Sequence, residues 1–478
     1  MKRKRHDTFL FKLVLIFTDL ALINLGYILA FLIKFGGTIP QENFLAYQLT
    51  WPWLTMSAAS LFYIYKLYGS YRWRWAEVFA SLTCVAFFQA AAAMALSFLL
   101  RGFSFPRTVL LAAPLIQLVL LALWRRWAWR LERNIQPTAR VLVVGPLLEA
   151  VLLAGKLEFG ATGLIKVSGL VVDDLIGKEI GAPGEAAGEV ATTKELEVSG
   201  STVGSWPVIG DIMSFNHCLE QVDPDQVFIC SSLTQEQKAQ VVYACVDRDK
   251  RVFLVPDLYE IMLAQSRLEQ VDDVPVFSVG RLNIPEESRI VKRLSDIVLS
   301  LTALVLTAPL NILAALAVKL DSNGPVLYRQ NRLTLQGKPF KLYKFRTMVV
   351  NAELDSGPVL AVENDPRVTR VGRFLRDTRI DEIPQLLNVL KGDMSIVGPR
   401  PERPFFVDEL TRETPEYAYR MNVKSGITGL AQIAARYSTS PENKLKYDLL
   451  YTKSYSPAKD LDILLQTLKV ILMKDRAS

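Results

Sequence analysis

LSDIVLSLTALVLTAPLNILAALAVKL, residues 294–320, decides how this chain meets a membrane. The run exceeds the roughly 20 apolar residues that a helix needs to cross hydrocarbon. Pro309 sits near its middle, Lys292 and Arg293 precede it, and Lys319 lies at its far end. A complete crossing would put everything after it on the opposite face from the region before it. Proline removes a helix hydrogen bond and bends the path. The segment is therefore expected to form a helix, a break and a helix that enters the bilayer and leaves on the same face.

Toward the N-terminus, apolar stretches at 9–33, 50–68, 77–100 and 108–128 read as four transmembrane helices, a bundle over 1–135. The first is long and lacks a clear small-residue cleavage site, unlike a signal peptide. Lys2, Arg3, Lys4 and Arg5 precede the first span, Lys66, Arg72 and Arg74 follow the second, and Arg125, Arg126, Arg130 and Arg133 follow the fourth. The other loops hold only Lys34, Arg101 and Arg107, so both ends of the bundle are expected on the cytoplasmic side. Asp19 inside the first span marks either a functional site or a packing contact with a hydroxyl or an indole.

Between the bundle and the 294–320 run the pattern changes to short β-branched runs separated by helical stretches: VLVVG (141–145), VSGLVVDD (167–174), QVFIC (226–230) and RVFLVPD (251–257). Such alternation predicts a parallel α/β domain over 139–280. Gly145-Pro146-Leu147-Leu148 lacks the second and third glycines of a dinucleotide fingerprint, so a Rossmann-like domain without cofactor is expected. The Gly/Ala/Glu-rich stretch 174–206 reads as a mobile surface insertion.

The chain has 478 residues, room for two or three domains. Its net charge of +7 suits phospholipid surfaces and phosphate-bearing substrates; no zinc-finger spacing or other nucleic-acid signature is present, and nucleic acid is not an expected partner. Cys84, Cys218, Cys230 and Cys245 show no CxxC spacing and read as buried thiols. His6 and His217 are the only histidines, so acid–base work falls to carboxylates.

Past the 294–320 run, Arg367, Arg370, Arg373, Arg376 and Arg379 recur every third residue before Ile380-Asp381-Glu382-Ile383-Pro384-Gln385. Much of that series is expected on one side of a helix. Lys344 and Arg346 in KFRTM, and Arg400 and Arg403 in GPRPERP, add cations. Guanidinium forks match phosphate oxygens, as a diphosphate substrate requires; a solvated basic face is the plainer alternative. Asp381-Glu382 is an acidic pair at a helix start or a site of phosphoryl chemistry, in which a carboxylate forms an acyl phosphate and a divalent cation offsets repulsion from the diphosphate. Leu461, Leu464, Leu465, Leu468, Ile471 and Leu472 recur at helical spacing, with Asp460, Asp462, Lys469 and Lys474 among them, for either an interfacial or a core-facing helix.

KRLSD (292–296), GPVLYRQ (324–330), GKPFKLYKFRTM (337–348), NDPRVTRVGRFLRDTRIDEIPQLLNVLKGDMSIVGPRP (364–401), GITGLAQ (426–432) and YDLLY (447–451) together resemble the monotopic phosphoglycosyl transferases, or bacterial sugar transferases. With the four spans and the α/β domain, the whole chain resembles the large form of that family, which begins exopolysaccharide or O-antigen synthesis. The resemblance implies a membrane protein of mixed class: a four-helix transmembrane bundle, a Rossmann-like α/β domain, and an α-rich monotopic catalytic domain over 285–478 with a re-entrant helix that includes Lys292, Arg293, Asp296 and Pro309. It implies a bacterial inner membrane location, a UDP-sugar donor, a polyprenyl phosphate acceptor and Mg²⁺, with room for a homodimer. Asp381 would be the nucleophile and a metal contact, with Glu382 its partner in proton transfer or positioning. Lys344, Arg346, Arg373, Arg376, Arg379, Gln385, Arg400 and Arg403 would bind substrate or phosphate. Thr334 stands where the family usually has Gly, and Ser425 where it usually has Pro, two departures that bear on loop geometry. A non-catalytic scaffold or sensor is the alternative.

Overall fold

The computed structural model describes residues 2–68, 74–99, 105–135, 138–161, 164–173, 197–198, 201–202, 206–264, 266–280, 282–350, 352, 365–435 and 439–473. Arg72, Arg101, Asn364, Lys474 and most of the 174–206 stretch lie outside the described residues. The chain forms two compact units, Met1–Asp257 and Leu258–Ser478.

In the first unit, α1 (Lys2–Phe35), α2 (Gln41–Ile64), α3 (Trp75–Leu99) and α4 (Arg107–Ile135) form a ring of packed neighbours. Its interior holds polar side chains among buried apolar ones such as Ile23, Leu54 and Leu82. Asp19, Thr50, Gln89 and Gln117 are buried, while Phe17, Ile33, Leu49, Phe98, Leu115 and Leu123 face outward. A water-soluble bundle would have the reverse arrangement; in lipid, inward polar groups join helices. Gln117 Nε2 donates to the Ile23 carbonyl at 2.9 Å, and Gln89 Nε2 to that of Leu54 at 2.8 Å. Gly26 allows the first of these approaches, since a Cβ there would meet the Gln117 side chain at 2.4 Å. Asp19 pairs with Arg125 and accepts from the Tyr68 hydroxyl at 2.9 Å. Asp19 therefore has the expected hydroxyl partner, but Arg125 is a buried counter-ion and not a free charge flanking the fourth span.

Among the described residues, four helical segments are long and apolar enough to cross a membrane: Phe11–Phe35, Trp75–Leu99, Arg107–Leu131 and Glu286–Asp321. The span expected at 50–68 has different bounds. Its helix starts at Gln41 and ends at Ile64, with polar Gln41, Glu42, Asn43 and Gln48 in its first turns, and it is not among those four.

After the bundle come β1 (Ala139–Val144), α5 (Leu147–Ala161), β2 (Ile165–Val171), a two-residue hairpin of β3 (Glu197–Val198) and β4 (Ser201–Thr202), β5 (Val208–Gly210), α6 (Phe215–Val222), β6 (Gln226–Ile229), α7 (Gln235–Val246) and β7 (Arg251–Leu254). Five strands make one parallel sheet in the order β5-β2-β1-β6-β7. Side chains alternate across a strand. Val141 and Val143 therefore join α5 on one face, while Leu142 and Val144 join α6 and α7 on the other. Burial on both faces is why β1 reads as an unbroken apolar run. Trp206 packs in the α5-side core, so the insertion ends before it. At the carboxyl ends of β1 and β6, Glu149 accepts hydrogen bonds from Ser231 N at 2.9 Å and Ser231 Oγ at 2.7 Å.

The second unit begins with α8 (Leu258–Leu263) and the hairpin of β8 (Arg267–Val271) and β9 (Val274–Ser278), which the sequence grouped with 139–280. Next is α9 (Glu286–Asp321), about 54 Å long at 1.5 Å per residue. Pro309 lies inside this single helix, so the expected break into two helices is not found. The globular part comprises the β10 (Leu327–Leu333) and β11 (Pro339–Phe345) hairpin, α10 (Arg370–Asp377), α11 (Gln385–Lys391), β12 (Ser395–Val397), α12 (Pro404–Glu413), β13 (Gly426–Thr428), α13 (Leu430–Ala434), α14 (Pro441–Lys453) and α15 (Pro457–Ile471).

This globular part grips α9 at both ends. Near the N-terminus, Lys292 pairs with Asp460 at 2.6 Å, Arg293 donates to the carbonyls of Val389 and Leu390, and Asp296 accepts from Ser395 Oγ at 3.0 Å and Ile396 N at 2.9 Å. Near the C-terminus, Ala314 and Val318 pack with Phe345 and Leu375. Between them, from Leu301 to Leu313, no residue is buried. Of the residues assigned to the membrane helix, Lys292, Arg293 and Asp296 thus anchor it to the globular part. In α15, Ile463 and Leu464 face the core, while Leu461, Ile471 and Leu472 are exposed.

Candidate active site

Thr369 starts α10 by accepting a hydrogen bond from Gly372 N at 3.0 Å. Gly372 lets the helix lie on the KFRTM strand end: a Cβ there would meet the Thr347 carbonyl at 2.0 Å. Helix α10 stops at Asp377, and Arg379 adopts a left-handed backbone, φ 58°. Non-glycine residues rarely do so. The reversal puts Asp381 and Glu382 into a 3-10 turn, Ile380–Glu382, with Asp381 buried.

The expected arginine face is therefore corrected. Only Arg370, Arg373 and Arg376 are in the helix. Arg367 precedes it, paired with Asp365 at 2.6 Å, and Arg379 follows the reversal.

The two neighbouring carboxylates have unequal surroundings. Lys344 Nζ donates to Glu382 Oε1 at 2.7 Å, Arg400 reaches the same oxygen at 3.1 Å, and Arg379 lies at 4.0 Å. Asp381 has Lys344 at 4.0 Å and accepts no hydrogen bond from any described residue. Burial pushes the Asp381 carboxyl above its ordinary range; the Lys344 charge opposes that, and the Glu382 charge reinforces it. Burial acts on Glu382 too, but Lys344 and Arg400 outweigh it and hold Glu382 well below the usual carboxylate range. Glu382 is a fixed anion, and Asp381 the less committed member of the pair.

Arg376 donates from Nε to Thr347 Oγ1 at 2.9 Å and contributes positive charge at Asp381. Gln385 is buried at the start of α11. Arg373 is exposed on α10. Arg403 precedes α12 and borders a cleft with Tyr328 and Phe405.

Arg346 is differently employed from its expected phosphate contact. It is buried and donates to the carbonyls of Ser322 at 2.7 Å and Asn323 at 3.0 Å, beyond the end of α9. Those carbonyls would otherwise lack partners. Gly324, φ +131°, makes room: a Cβ there would stand 2.0 Å from the Arg346 guanidinium.

A supporting layer was not read from the sequence. Arg420 donates to the Arg400 carbonyl at 3.0 Å and pairs with buried Asp448 at 3.0 Å, so it fixes the loop that presents Arg400. Burial pushes the Asp448 carboxyl up to about 6 against the opposing Arg420 charge. The signal was an acid inside the apolar YDLLY segment, since a carboxylate there needs a buried counter-ion.

The two departures from the family pattern meet. Ser425 N donates to Thr334 Oγ1 at 3.2 Å, and Thr334 Oγ1 donates to the Asp393 carbonyl at 2.8 Å. An N–H and a hydroxyl bond to each other at two positions that in the family usually carry neither. Thr334 is extended, φ −130°, and needs no glycine.

Among the described residues, no three His, Cys, Asp or Glu side chains gather to hold a metal. Asp381, which accepts no hydrogen bond from any described residue, fits Mg²⁺, which is commonly held by one or two carboxylates plus substrate phosphates.

Comparison with known proteins follows this geometry. The chain is 42% identical over 233 residues to UDP-glucose:undecaprenyl-phosphate glucose-1-phosphate transferase of Escherichia coli (strain K12), 48% of this chain and 50% of that protein. It is 44% identical over 185 residues to UDP-N-acetylgalactosamine-undecaprenyl-phosphate N-acetylgalactosaminephosphotransferase of Aeromonas hydrophila, 38% of this chain and 44% of that protein. The chain thus spans about half the length of these relatives. A UDP-glucose:undecaprenyl-phosphate glucose-1-phosphate transferase of Caulobacter vibrioides is 45% identical over 193 residues, 39% of this chain and 71% of that protein. The sequence model described as "Bacterial sugar transferase" matches residues 287–474, the segment that carries the carboxylate pair and every cation around it. The chain belongs to the bacterial sugar transferase family.

Proposed function

We propose that this chain transfers a sugar 1-phosphate from a UDP-sugar to undecaprenyl phosphate or a similar polyprenyl phosphate, through a covalent intermediate on Asp381. The observation that carries this reading is the asymmetry of the pair: Glu382 holds the cations, while Asp381 is buried without a hydrogen-bond donor. An Asp381 carboxylate oxygen attacks the sugar-bearing phosphorus. The bond from that phosphorus to the bridging oxygen breaks, releasing UMP and leaving the sugar phosphate on Asp381. A phosphate oxygen of the lipid then attacks the same phosphorus, and the Asp381 carboxylate departs. Lys344, Arg376, Arg379 and Arg400 outnumber the two carboxylates, so the site retains positive charge for a diphosphate. As a fixed anion, Glu382 positions Lys344 and Arg400. Asp381 would hold Mg²⁺, which would neutralise diphosphate charge.

We further read α9 as re-entrant. The stretch without buried residues, 301–313, is shorter than the roughly 20 residues a crossing needs, and the same globular part holds both helix ends. The catalytic unit then sits on one membrane face, where UDP-sugars are found, the cytoplasmic side of a bacterial inner membrane. The parallel sheet order fits a Rossmann-like domain. The test is UMP release from UDP-glucose, UDP-galactose and their N-acetylated analogues, with undecaprenyl phosphate and Mg²⁺ supplied. Release from at least one is expected; no release from any would sink the proposal.

A further inference from the structure

The hairpin beside Lys344 forms one wall of a cleft of about 380 Å³, large enough for one nucleotide-sized ligand. Tyr328, Arg329, Gln330 and Asn331 of β10 line one side, and Arg403 and Phe405, at the start of α12, the other. The ladder ties the cleft to the reacting pair. Tyr328 stands directly opposite Lys344 in the β10–β11 register, which puts the two side chains on one face of the hairpin. Lys344 reaches Glu382 at 2.7 Å and Asp381 at 4.0 Å. From the other wall, Arg403 is three residues past Arg400 in the same loop.

Phe405 is 57% exposed and Tyr328 40%, so aromatic surface is open to a flat ring. Asn331 offers an amide donor and an amide acceptor, while the Gln330 amide oxygen accepts from Arg332 at 2.7 Å. Gln330 Nε2 already donates to the Tyr328 hydroxyl at 3.3 Å, which orders the two side chains together. Arg329 and Arg403 bring positive charge to the same space.

We propose that this cleft binds the nucleoside monophosphate half of the donor, a pyrimidine nucleotide; the proposal rests on the transferase reading above. The donor has two ends on either side of the reacting phosphorus. The hexose is uncharged and has no use for two guanidinium groups. The nucleotide end carries the phosphate that departs with negative charge, a heterocycle that stacks on an aromatic face, and a ring edge alternating carbonyl acceptors with an N–H donor. The cleft matches the nucleotide end in all three respects.

The test uses the full-length chain in detergent, with whichever UDP-sugar the wild type turns over and UMP as product inhibitor. Phe405→Ala and Asn331→Ala should raise the KM for the donor and the inhibition constant for UMP together, each about five- to tenfold, the lower range for one base contact. Phe405→Tyr, which restores a ring face, should return both constants toward wild type. The ratio of rates between UDP-glucose and UDP-N-acetylgalactosamine should not move. If Phe405→Ala does not fold, Phe405→Leu retains bulk without the ring and should show the same rise. Folded, active variants that keep the wild-type UMP constant would overturn the proposal, as would variants that change sugar preference instead. A wild-type chain that released no UMP from any UDP-sugar would overturn the transferase reading, and this inference with it.

Discussion

Of the places where the chain buries a carboxylate beside a cation, the Asp19 site and the Asp381–Glu382 site resolve the charge in opposite ways. In the helical bundle, Asp19 meets Arg125 one to one, and the Tyr68 hydroxyl and the Leu67 carbonyl complete the set. In the second unit two adjacent carboxylates share Lys344, Arg379 and Arg400, and Glu382 takes nearly all of that interaction. The first arrangement is neutral and closed. The second has excess positive charge and a carboxylate, Asp381, that accepts no hydrogen bond from any described residue. Burial of an acid is thus common to an internal tie and to a reactive site; the division of partners separates them.

The sharpest way to break that comparison is to remove the uncommitted carboxylate. Asp381→Asn should abolish turnover, because an amide does not readily replace a carboxylate as nucleophile toward phosphorus. Steady-state UMP release at background, with an unchanged thermal transition, is the expected result.

Next in size is Glu382→Gln. Loss of a positioning anion should lower the rate by about 10²- to 10⁴-fold, a range typical of losing one acid–base or positioning group. Its pH profile carries a sign. Asp381 must be ionised to attack; burial raises its pKa, Lys344 lowers it and Glu382 raises it. Removing the Glu382 charge ends the repulsion and frees Lys344 for Asp381. The acid limb of kcat/KM should therefore move to lower pH in Glu382→Gln. An acid limb shifted upward would show that another group sets it.

The bundle pair should behave as a tie. Arg125→Ala strands a buried carboxylate and should cost about 3–5 kcal/mol of stability. UMP release per folded molecule should be retained, as read from thermal unfolding alongside an activity assay. A loss of chemistry in well-folded Arg125→Ala would erase the distinction between the two sites.

The smallest expected effect concerns Thr334 and Ser425. Ser425→Pro removes the N–H that Thr334 Oγ1 accepts, and Thr334→Gly removes the acceptor. The double variant should be more stable than the sum of the single losses predicts, by about 0.5–1.5 kcal/mol. Strict additivity in denaturant titrations would show that the two positions are uncoupled.

The sequence made some of this legible because the physics is local. Val141 to Val144 predicts a strand buried on both faces, and the length of 9–33 predicts a membrane helix; both depend only on neighbours along the chain. The fate of single cations was not legible. Arg346 and Arg400 both sit in basic motifs, yet one holds the end of α9 and the other holds Glu382, a choice made by contacts about 20 residues away in sequence. The arginine series looked like one helical face because its spacing is regular. Left-handed Arg379 ended that regularity, and no propensity marks an arginine for that conformation. Arg125 resembled a flanking charge because only the folded bundle brings Asp19 beside it.

The central claim, that Asp381 carries the sugar phosphate, is tested most directly by a single turnover. Enzyme, Mg²⁺ and a sugar-labelled UDP donor are mixed without lipid acceptor, and intact protein mass is measured together with released UMP. Wild-type protein should gain one hexose phosphate per UMP released, and folded Asp381→Asn protein should gain none. An adduct on Asp381→Asn, or UMP release from wild type with no mass gain, would contradict the account.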